Sequence, residues 1–162
     1  MSNIRKNIDI KYIIVHHTSL DSMYSGMDIN NLFNRKGFFG VPYDALINFD
    51  GSIDLSARWV NGNTSNFYTL NVRLKDIFTK YKVHKLAGLE VEEYNTKGFH
   101  IAIVGNFDIL NPSLLQYDSL RKLLQECSTR LGVSLNTALL YYSEIFDTTS
   151  PGSLFINKAK LI

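Results

Sequence analysis

The chain has 162 residues and a formal net charge of +2 at pH 7. Apolar residues make up 45% of it and charged residues 20%, which is typical of a folded globular domain and argues against intrinsic disorder. This length predicts one domain with a substantial hydrophobic core. The small net charge does not indicate a nucleic-acid partner. The single cysteine, Cys127, excludes an internal disulfide framework.

No targeting or membrane-spanning segment is visible in the sequence. No apolar run approaches membrane-spanning length, and the N-terminal residues MSNIRKNIDIKY lack the apolar core of a signal peptide. We therefore expect synthesis in the cytoplasm and no membrane partner.

The first predicted strand, Ile10 to His16, is rich in β-branched residues without polar alternation, so it should be buried on both faces. It runs directly into the pair His16-His17. Side chains at the end of a buried strand commonly line a cleft. His16 could be a zinc ligand, a general base or a hydrogen-bonded structural group. Because side chains alternate along a strand, His17 should point to the opposite face of the sheet.

A helix and a hairpin follow. Asp28 is predicted to cap a helix that Gly37 ends. The next strand should run from Tyr43 to Phe49, and Asp50-Gly51 predicts a tight turn into a returning strand over Ser52 to Ala57.

The second half of the chain alternates between helices and strands. A helix with a basic exposed side is predicted over Leu70 to Tyr81, a strand over Phe99 to Val104 and another over Ala138 to Tyr142. The tail, residues 153–162, is predicted to close the fold as a helix. This order indicates an α/β domain with a mixed sheet.

The longest predicted helix begins after Ser113 and ends before Gly132. Its apolar side chains fall on one face at helical spacing: Tyr117, Leu120, Leu123, Leu124, Cys127 and Leu131. Cys127 is therefore expected to be a small core residue rather than a nucleophile.

These elements together resemble one family, the zinc N-acetylmuramoyl-L-alanine amidases of the phage-lysozyme type and the related peptidoglycan recognition proteins. The resemblance rests on four segments in the same order: Ile13 to Thr18, Gly40 to Ile53, Tyr94-Asn95 with Ile101 to Phe107, and the helix containing Gln116, Leu120 and Leu124. It covers nearly the whole chain except for an apparent insertion at about 60–93. It implies a single-domain amidase-like fold over residues 1–162, with a central mixed β-sheet flanked by helices.

The family's reaction uses a zinc ion held by two histidines and a cysteine or carboxylate, and a zinc-activated water attacks the lactyl–alanine amide of peptidoglycan. His16 matches the first ligand. The second ligand falls on Tyr142, and the third, immediately before Pro151, falls on Ser150. Tyrosine and serine side chains ionise far above neutral pH and are not credible zinc ligands. Tyr142 and Ser150 could instead form a hydrogen-bonded plug with His16 where the metal would sit.

The other catalytic positions of the family are only partly retained. Tyr43 matches the tyrosine that orients the attacked carbonyl or the water, and Thr148 matches the oxyanion-stabilising position; we expect both to be vestigial. Asp44 replaces the histidine that commonly follows the tyrosine. His84 lies where the family has a cleft-wall histidine, whereas His100 is expected to be structural. The cleft or binding positions that the resemblance implies are His16, Asp44, His84, Asn95, Tyr142 and Ser150.

The resemblance implies two main functions. We expect a pseudoenzyme with a degenerate zinc site and no cofactor, which binds peptidoglycan or muropeptide, or acts as a structural or protein-interaction module through its 60–93 insertion. Such a module would suit a phage particle or a secretion machine, and lysis would release it from the cell. The alternative is an active N-acetylmuramoyl-L-alanine amidase whose zinc is held by His16 with Glu144 or Asp147. An unrelated hydrolase with Ser150 or Cys127 as its nucleophile is disfavoured, because the sequence shows no general base at a recognisable spacing from either residue.

Overall fold

The computed structural model describes residues 10–35, 43–55, 93–94 and 97–162. Five strands form one sheet in the order β3-β2-β4-β1-β5. Strand β1 pairs in parallel with β4 and β5, β2 pairs in parallel with β4, and β3 runs antiparallel to β2. The strands are β1 Tyr12–His17, β2 Ala45–Ile47, β3 Ile53–Leu55, β4 Gly98–Ile103 and β5 Leu139–Tyr141. The predicted mixed α/β sheet is confirmed.

Three α-helices lie wholly within the described ranges: α1 Gly26–Arg35, α2 Leu114–Leu131 and α3 Leu135–Ala138. Single 3₁₀ turns lie at Tyr142–Glu144 and Lys158–Lys160. None of the helices in these ranges is long and apolar enough to cross a membrane. The predicted helix over Leu70 to Tyr81 and nearly all of the 60–93 insertion lie outside the described residues.

Helix α1 begins earlier than predicted, and its cap is Ser25 rather than Asp28. The Asp28 backbone N–H donates to the Ser25 hydroxyl oxygen at 3.1 Å, and the Ser25 backbone N–H donates to the Asp28 carboxylate at 3.0 Å. This reciprocal pair is a capping box, in which Asp28 occupies the third helical position. Both residues are good caps, so the sequence alone does not distinguish them.

The predicted Asp50-Gly51 turn is confirmed, and β2 is shorter than the predicted strand from Tyr43 to Phe49. The last residues of the predicted returning strand, 56–57, lie outside the described residues. The Gly51 N–H donates to the Asn48 carbonyl at 2.9 Å, and the Asn48 N–H donates to the Ser52 carbonyl at 2.8 Å. Gly51 has a φ of 86°, a conformation that favours glycine. The turn therefore fixes the register of β2 against β3.

The predicted helix after Ser113 is confirmed at both ends. The Ser113 side chain accepts a hydrogen bond from the Gln116 N–H, the Gln116 side chain accepts from the Ser113 N–H, and Gly132 ends the helix at φ 67°. Gln116 is buried, and its Nε2–H donates to the Val104 carbonyl at 2.8 Å. This side chain therefore ties the start of α2 to the end of β4.

The predicted closing helix of the tail is wrong, since the structure has only the turn Lys158–Lys160 there. The preceding backbone bonds to other parts of the fold. The Leu154 N–H donates to the Phe107 carbonyl at 2.8 Å, and the Ile156 N–H donates to the Tyr117 hydroxyl at 3.0 Å. Those N–H groups are consequently not available for an i to i−4 helical ladder.

The two long helices pack on opposite faces of the sheet. Helix α2 buries Leu120 and Leu124 in the main core together with Ile13 and Val15 of β1. On the other face, Ile29 of α1 packs with residues of β2 and β4. Because side chains alternate along β1, Ile14 and His16 lie on the α1 face, opposite α2.

Candidate functional site

His16 lies at the carboxyl end of β1 and is only 1% exposed. Its Nε2 lies 2.8 Å from Nδ1 of His100, and Nε2 of His100 lies 2.9 Å from the carbonyl oxygen of Tyr94. A carbonyl oxygen only accepts, so Nε2 of His100 carries that ring's proton and its Nδ1 accepts from His16. The Nε2–H of His16 is therefore directed at His100.

Aromatic rings enclose His16. The Tyr142 ring lies 4.2 Å from it between centroids, at an interplanar angle of 40°, and the Tyr43 ring lies 5.3 Å away. Phe146 in turn stacks on Tyr142, with the centroids 5.1 Å apart and the planes 11° apart. Tyr43 and Tyr142 are both buried, and burial raises the pKa of Tyr43. The surroundings of His16 resemble a packed core rather than an open cleft.

The pKa of His16 is held well below its ordinary value of 6.5. The largest cause is burial, which penalises the charged imidazolium, and the neighbouring His100 and His17 act in the same direction. His16 is therefore a neutral imidazole at physiological pH.

Ser150 joins the loop that follows β5, called here the late loop, to β1, and Thr148 forms a hydrogen bond within that loop. The Ser150 hydroxyl oxygen accepts from the His17 backbone N–H at 3.0 Å, and the Thr148 hydroxyl oxygen accepts from the Ser150 N–H at 3.2 Å. Ser150 is buried and Thr148 half-buried. Both hydroxyls thus accept hydrogen bonds from backbone N–H groups, and the Ser150 bond holds the late loop against the end of β1.

The predicted hydrogen-bonded plug of His16, Tyr142 and Ser150 is wrong at Ser150, whose hydroxyl does not bond to the His16 ring. Tyr142 packs its ring against His16, whereas Ser150 bonds to the backbone of the next residue in β1. The His16 ring instead donates its hydrogen bond to the imidazole of His100. The three predicted positions do converge, but His100 is an additional member that sequence reasoning places in a structural role.

Asp44 supports this arrangement from the start of β2. It is fully buried, its carboxylate accepts from the His100 backbone N–H at 2.8 Å, and its own N–H donates to the His100 carbonyl at 2.9 Å. Asp44 therefore holds the β4 backbone at His100.

The predicted cleft residues His84 and Asn95 lie outside the described residues.

The three positions that are predicted to match the family's zinc ligands do not offer the set of donor groups that a zinc ion takes. They present the imidazole of His16, the phenol of Tyr142 and the alcohol of Ser150. Zinc in proteins takes neutral imidazole, thiolate or carboxylate, and phenol and alcohol ionise far above neutral pH. In addition, the Ser150 oxygen accepts from a backbone N–H. Within the described ranges, no three His, Cys, Asp or Glu side chains lie close enough to hold a metal together.

The acidic residues of the late loop are exposed and directed elsewhere. Glu144 accepts from the Tyr141 backbone N–H at 2.6 Å and forms an ion pair with Lys158 at 2.8 Å. Asp147 is exposed.

His17 points to the other face, as the alternation predicts. Its Nδ1 accepts from the Phe107 backbone N–H at 3.1 Å, so its proton lies on Nε2, which is 2.9 Å from the Ser19 hydroxyl oxygen. A serine nucleophile needs the histidine to accept its proton. His17 instead donates to Ser19, so the pair is not poised for nucleophilic catalysis.

Burial raises the pKa of the Cys127 thiol to about 12, which agrees with its predicted core role.

Comparison with known proteins gives a consistent result. The family model described as "N-acetylmuramoyl-L-alanine amidase" matches residues 6–153. Peptidoglycan-recognition protein 2 of Holotrichia diomphalia is 27% identical over 158 residues, which cover 92% of this chain and 71% of that protein.

Two solved structures share the fold. The endolysin amidase LysCS from Clostridium intestinale has a TM-score of 0.70 at 20% identity, covering 99% of this chain and 86% of that chain. The second structure is the ectodomain complex of the peptidoglycan recognition proteins LCa and LCx bound to tracheal cytotoxin. It matches with a TM-score of 0.66 at 18% identity, covering 96% of this chain and 82% of that chain.

Proposed function

Because this chain belongs to the N-acetylmuramoyl-L-alanine amidase family, we propose that it is a non-hydrolytic member that binds peptidoglycan or its muropeptide fragments. The proposal treats residues 1–162 as one amidase-like domain with an insertion at about 60–93. It needs no metal cofactor.

The observation that carries the loss of hydrolysis is the state of His16. The retained first-ligand histidine directs its Nε2–H to His100 and is covered by Tyr142, the residue at the second ligand position. A zinc hydrolase needs at least three protein ligands and an open position for water. Here one imidazole is buried among aromatic rings, and the remaining two positions hold a phenol and an alcohol.

Binding to the cell wall is supported by the relatives. One is named as a peptidoglycan recognition protein, and another family member was solved with tracheal cytotoxin bound. Recognition needs a shaped surface rather than a metal, so it can survive the loss of the zinc ligands. We assign the ligand contacts to the His16 side of the sheet and to the predicted cleft residues His84 and Asn95. A protein-interaction role through the insertion would use the same fold.

Incubation with purified sacculi tests the proposal. We expect the protein to sediment with intact sacculi and to release no soluble muropeptides, with or without added zinc chloride. Sacculi stripped of their stem peptides are the control for recognition of the peptide. Release of muropeptides that zinc stimulates and His16→Ala abolishes would instead establish the active amidase. Sedimentation with neither substrate would contradict the binding proposal and favour the protein-interaction role.

A further inference from the structure

A second candidate binding site lies on the His17 side of the sheet. Strands β1 and β4 are parallel neighbours, yet the helix after β1 packs on one face and the helix after β4 packs on the other. Such a reversal opens a crevice beyond the carboxyl ends of the two strands, and ligands of open α/β sheets bind there. A crevice of about 310 Å³ occupies this place, between the loop of residues 19–22 and the loop of residues 105–111. Neither the family comparison nor the proposed function assigns it a role.

The two walls of the crevice are fastened to each other. The Ser19 N–H donates to the Gly105 carbonyl at 3.0 Å, and the Thr18 hydroxyl oxygen accepts from the Gly105 N–H at 3.1 Å. The His17 ring bonds to both loops, at Ser19 and at Phe107. The crevice is therefore formed by hydrogen bonds within the protein and does not depend on a ligand to shape it.

One wall residue has a strained backbone. Ser19 has a φ of 59°, a left-handed conformation that a residue with a side chain rarely adopts. Strain of this kind persists only where the surrounding structure imposes it, commonly at ligand sites. Here the bonds from Ser19 to Gly105 and His17 impose it.

The chemistry of the lining indicates the ligand. The rim carries three large apolar side chains that remain exposed: Phe49 at 49%, Ile109 at 69% and Leu110 at 64%. Among the described residues that line the crevice, Asp21 has the one charged side chain. Its Oδ1 accepts from the Met23 N–H at 2.9 Å, which holds the carboxylate in place.

We propose that this crevice binds a short peptide segment of a partner protein, in which a cationic side chain lies next to a large apolar one. The apolar side chain would cover Phe49, Ile109 and Leu110, and the cation would pair with Asp21. An anionic segment would be repelled by the same carboxylate. A volume of about 310 Å³ suits the side chains of a short peptide rather than a folded surface.

Titration of the ¹⁵N-labelled chain with two matched peptides tests this proposal. The probes are acetyl-Leu-Lys-Leu-amide and acetyl-Leu-Glu-Leu-amide. We expect amide shifts concentrated in residues 19–22 and 105–111, and a Kd at least about tenfold lower for the lysine peptide. Shifts elsewhere, or equal Kd values for the two peptides, would overturn the proposal.

Variants separate the charge from the apolar contact. Asp21→Asn keeps the Oδ1 acceptor for Met23, so the turn survives while the charge is lost; we expect the preference for lysine to disappear. Leu110→Ser should weaken both peptides. Leu55→Ser, at another exposed apolar position that does not line the crevice, is the matched control and should bind as the unmodified chain does. A loss of lysine preference in Leu55→Ser, or its retention in Asp21→Asn, would contradict the assignment.

Discussion

Nε2 of His16 lies 2.8 Å from Nδ1 of His100, and these two buried imidazoles join neighbouring parallel strands on the face of the sheet opposite α2. The bond uses the Nε2 proton of His16, the histidine that is predicted to match the family's first zinc ligand. Because His100 is in turn fixed by the Tyr94 carbonyl and by Asp44, the pair is part of the packed core. The carboxyl end of β1 is thus part of a buried hydrogen-bond network.

The missing zinc ligands can be restored as a test of their positions. We expect Tyr142→His with Ser150→Cys to bind one zinc ion per chain after dialysis, because the pair supplies the imidazole and thiolate that the site lacks. The unmodified chain should retain no zinc under the same conditions. Metal analysis by mass spectrometry measures both.

The two single variants are the matched controls for this restoration. Each offers fewer than three good ligands, so each should bind zinc much more weakly than the double variant. A folded double variant that takes up no zinc would show that the correspondence with the family is displaced by at least one residue.

Stability should decrease in mild acid because of the buried histidines. The pKa values of both His16 and His17 are lowered, mainly by burial, although Asp108 partly opposes the shift of His17. Between the lowered pKa and the ordinary value of 6.5, the unfolded chain binds more protons than the folded one. The stability that comes from keeping these histidines neutral is therefore fully present above pH 6.5. It is lost as the pH falls through the lowered pKa of the folded state. Urea unfolding at a series of pH values from mildly alkaline to mildly acidic measures it.

A variant at His17 isolates one share of this pH dependence. The asparagine side chain introduced by His17→Asn does not titrate, and its oxygen can still accept from the Phe107 N–H. We expect the slope of the unfolding free energy against pH to be shallower below neutral pH, by at most about 1.4 kcal/mol per pH unit. An unchanged slope would mean that His17 does not contribute.

Gln116 should stabilise the fold far more than a similar residue on the same helix. Its side chain is buried and bonds to Ser113 and Val104. We expect Gln116→Leu to lower the unfolding free energy by about 1–3 kcal/mol, because it leaves buried backbone groups unsatisfied. Gln125→Leu, on the exposed side of α2, should change it by less than about 0.5 kcal/mol. Similar losses in the two variants would contradict this role.

Cys127 should be protected from thiol reagents in the folded protein. It is buried on α2, and burial raises the pKa of its thiol to about 12, so almost no reactive thiolate forms at neutral pH. We expect an aromatic disulfide reagent to modify it quickly in urea and very slowly in native buffer. Rapid modification without denaturant would show that the α2 packing opens readily.

Local features of the sequence determined much of the fold. The capping pair Ser113 and Gln116, the Asp50-Gly51 turn and the apolar face of α2 each involve residues close together along the chain, so their hydrogen bonds and periodicity are visible before folding. The opposite directions of His16 and His17 follow from strand geometry alone. The phenol of Tyr142 and the alcohol of Ser150 are poor zinc ligands, and this too follows from the residue types alone.

Only the tertiary structure decided which groups meet. His100 is separated from His16 by 84 residues, and it reaches that ring because the parallel register sets Ile14 opposite His100 and thereby places both histidines on one face. The tail lost its predicted helix because its N–H groups bond to Phe107 and Tyr117. Pairing register and long-range hydrogen bonds depend on how distant segments pack, and no local pattern specifies them.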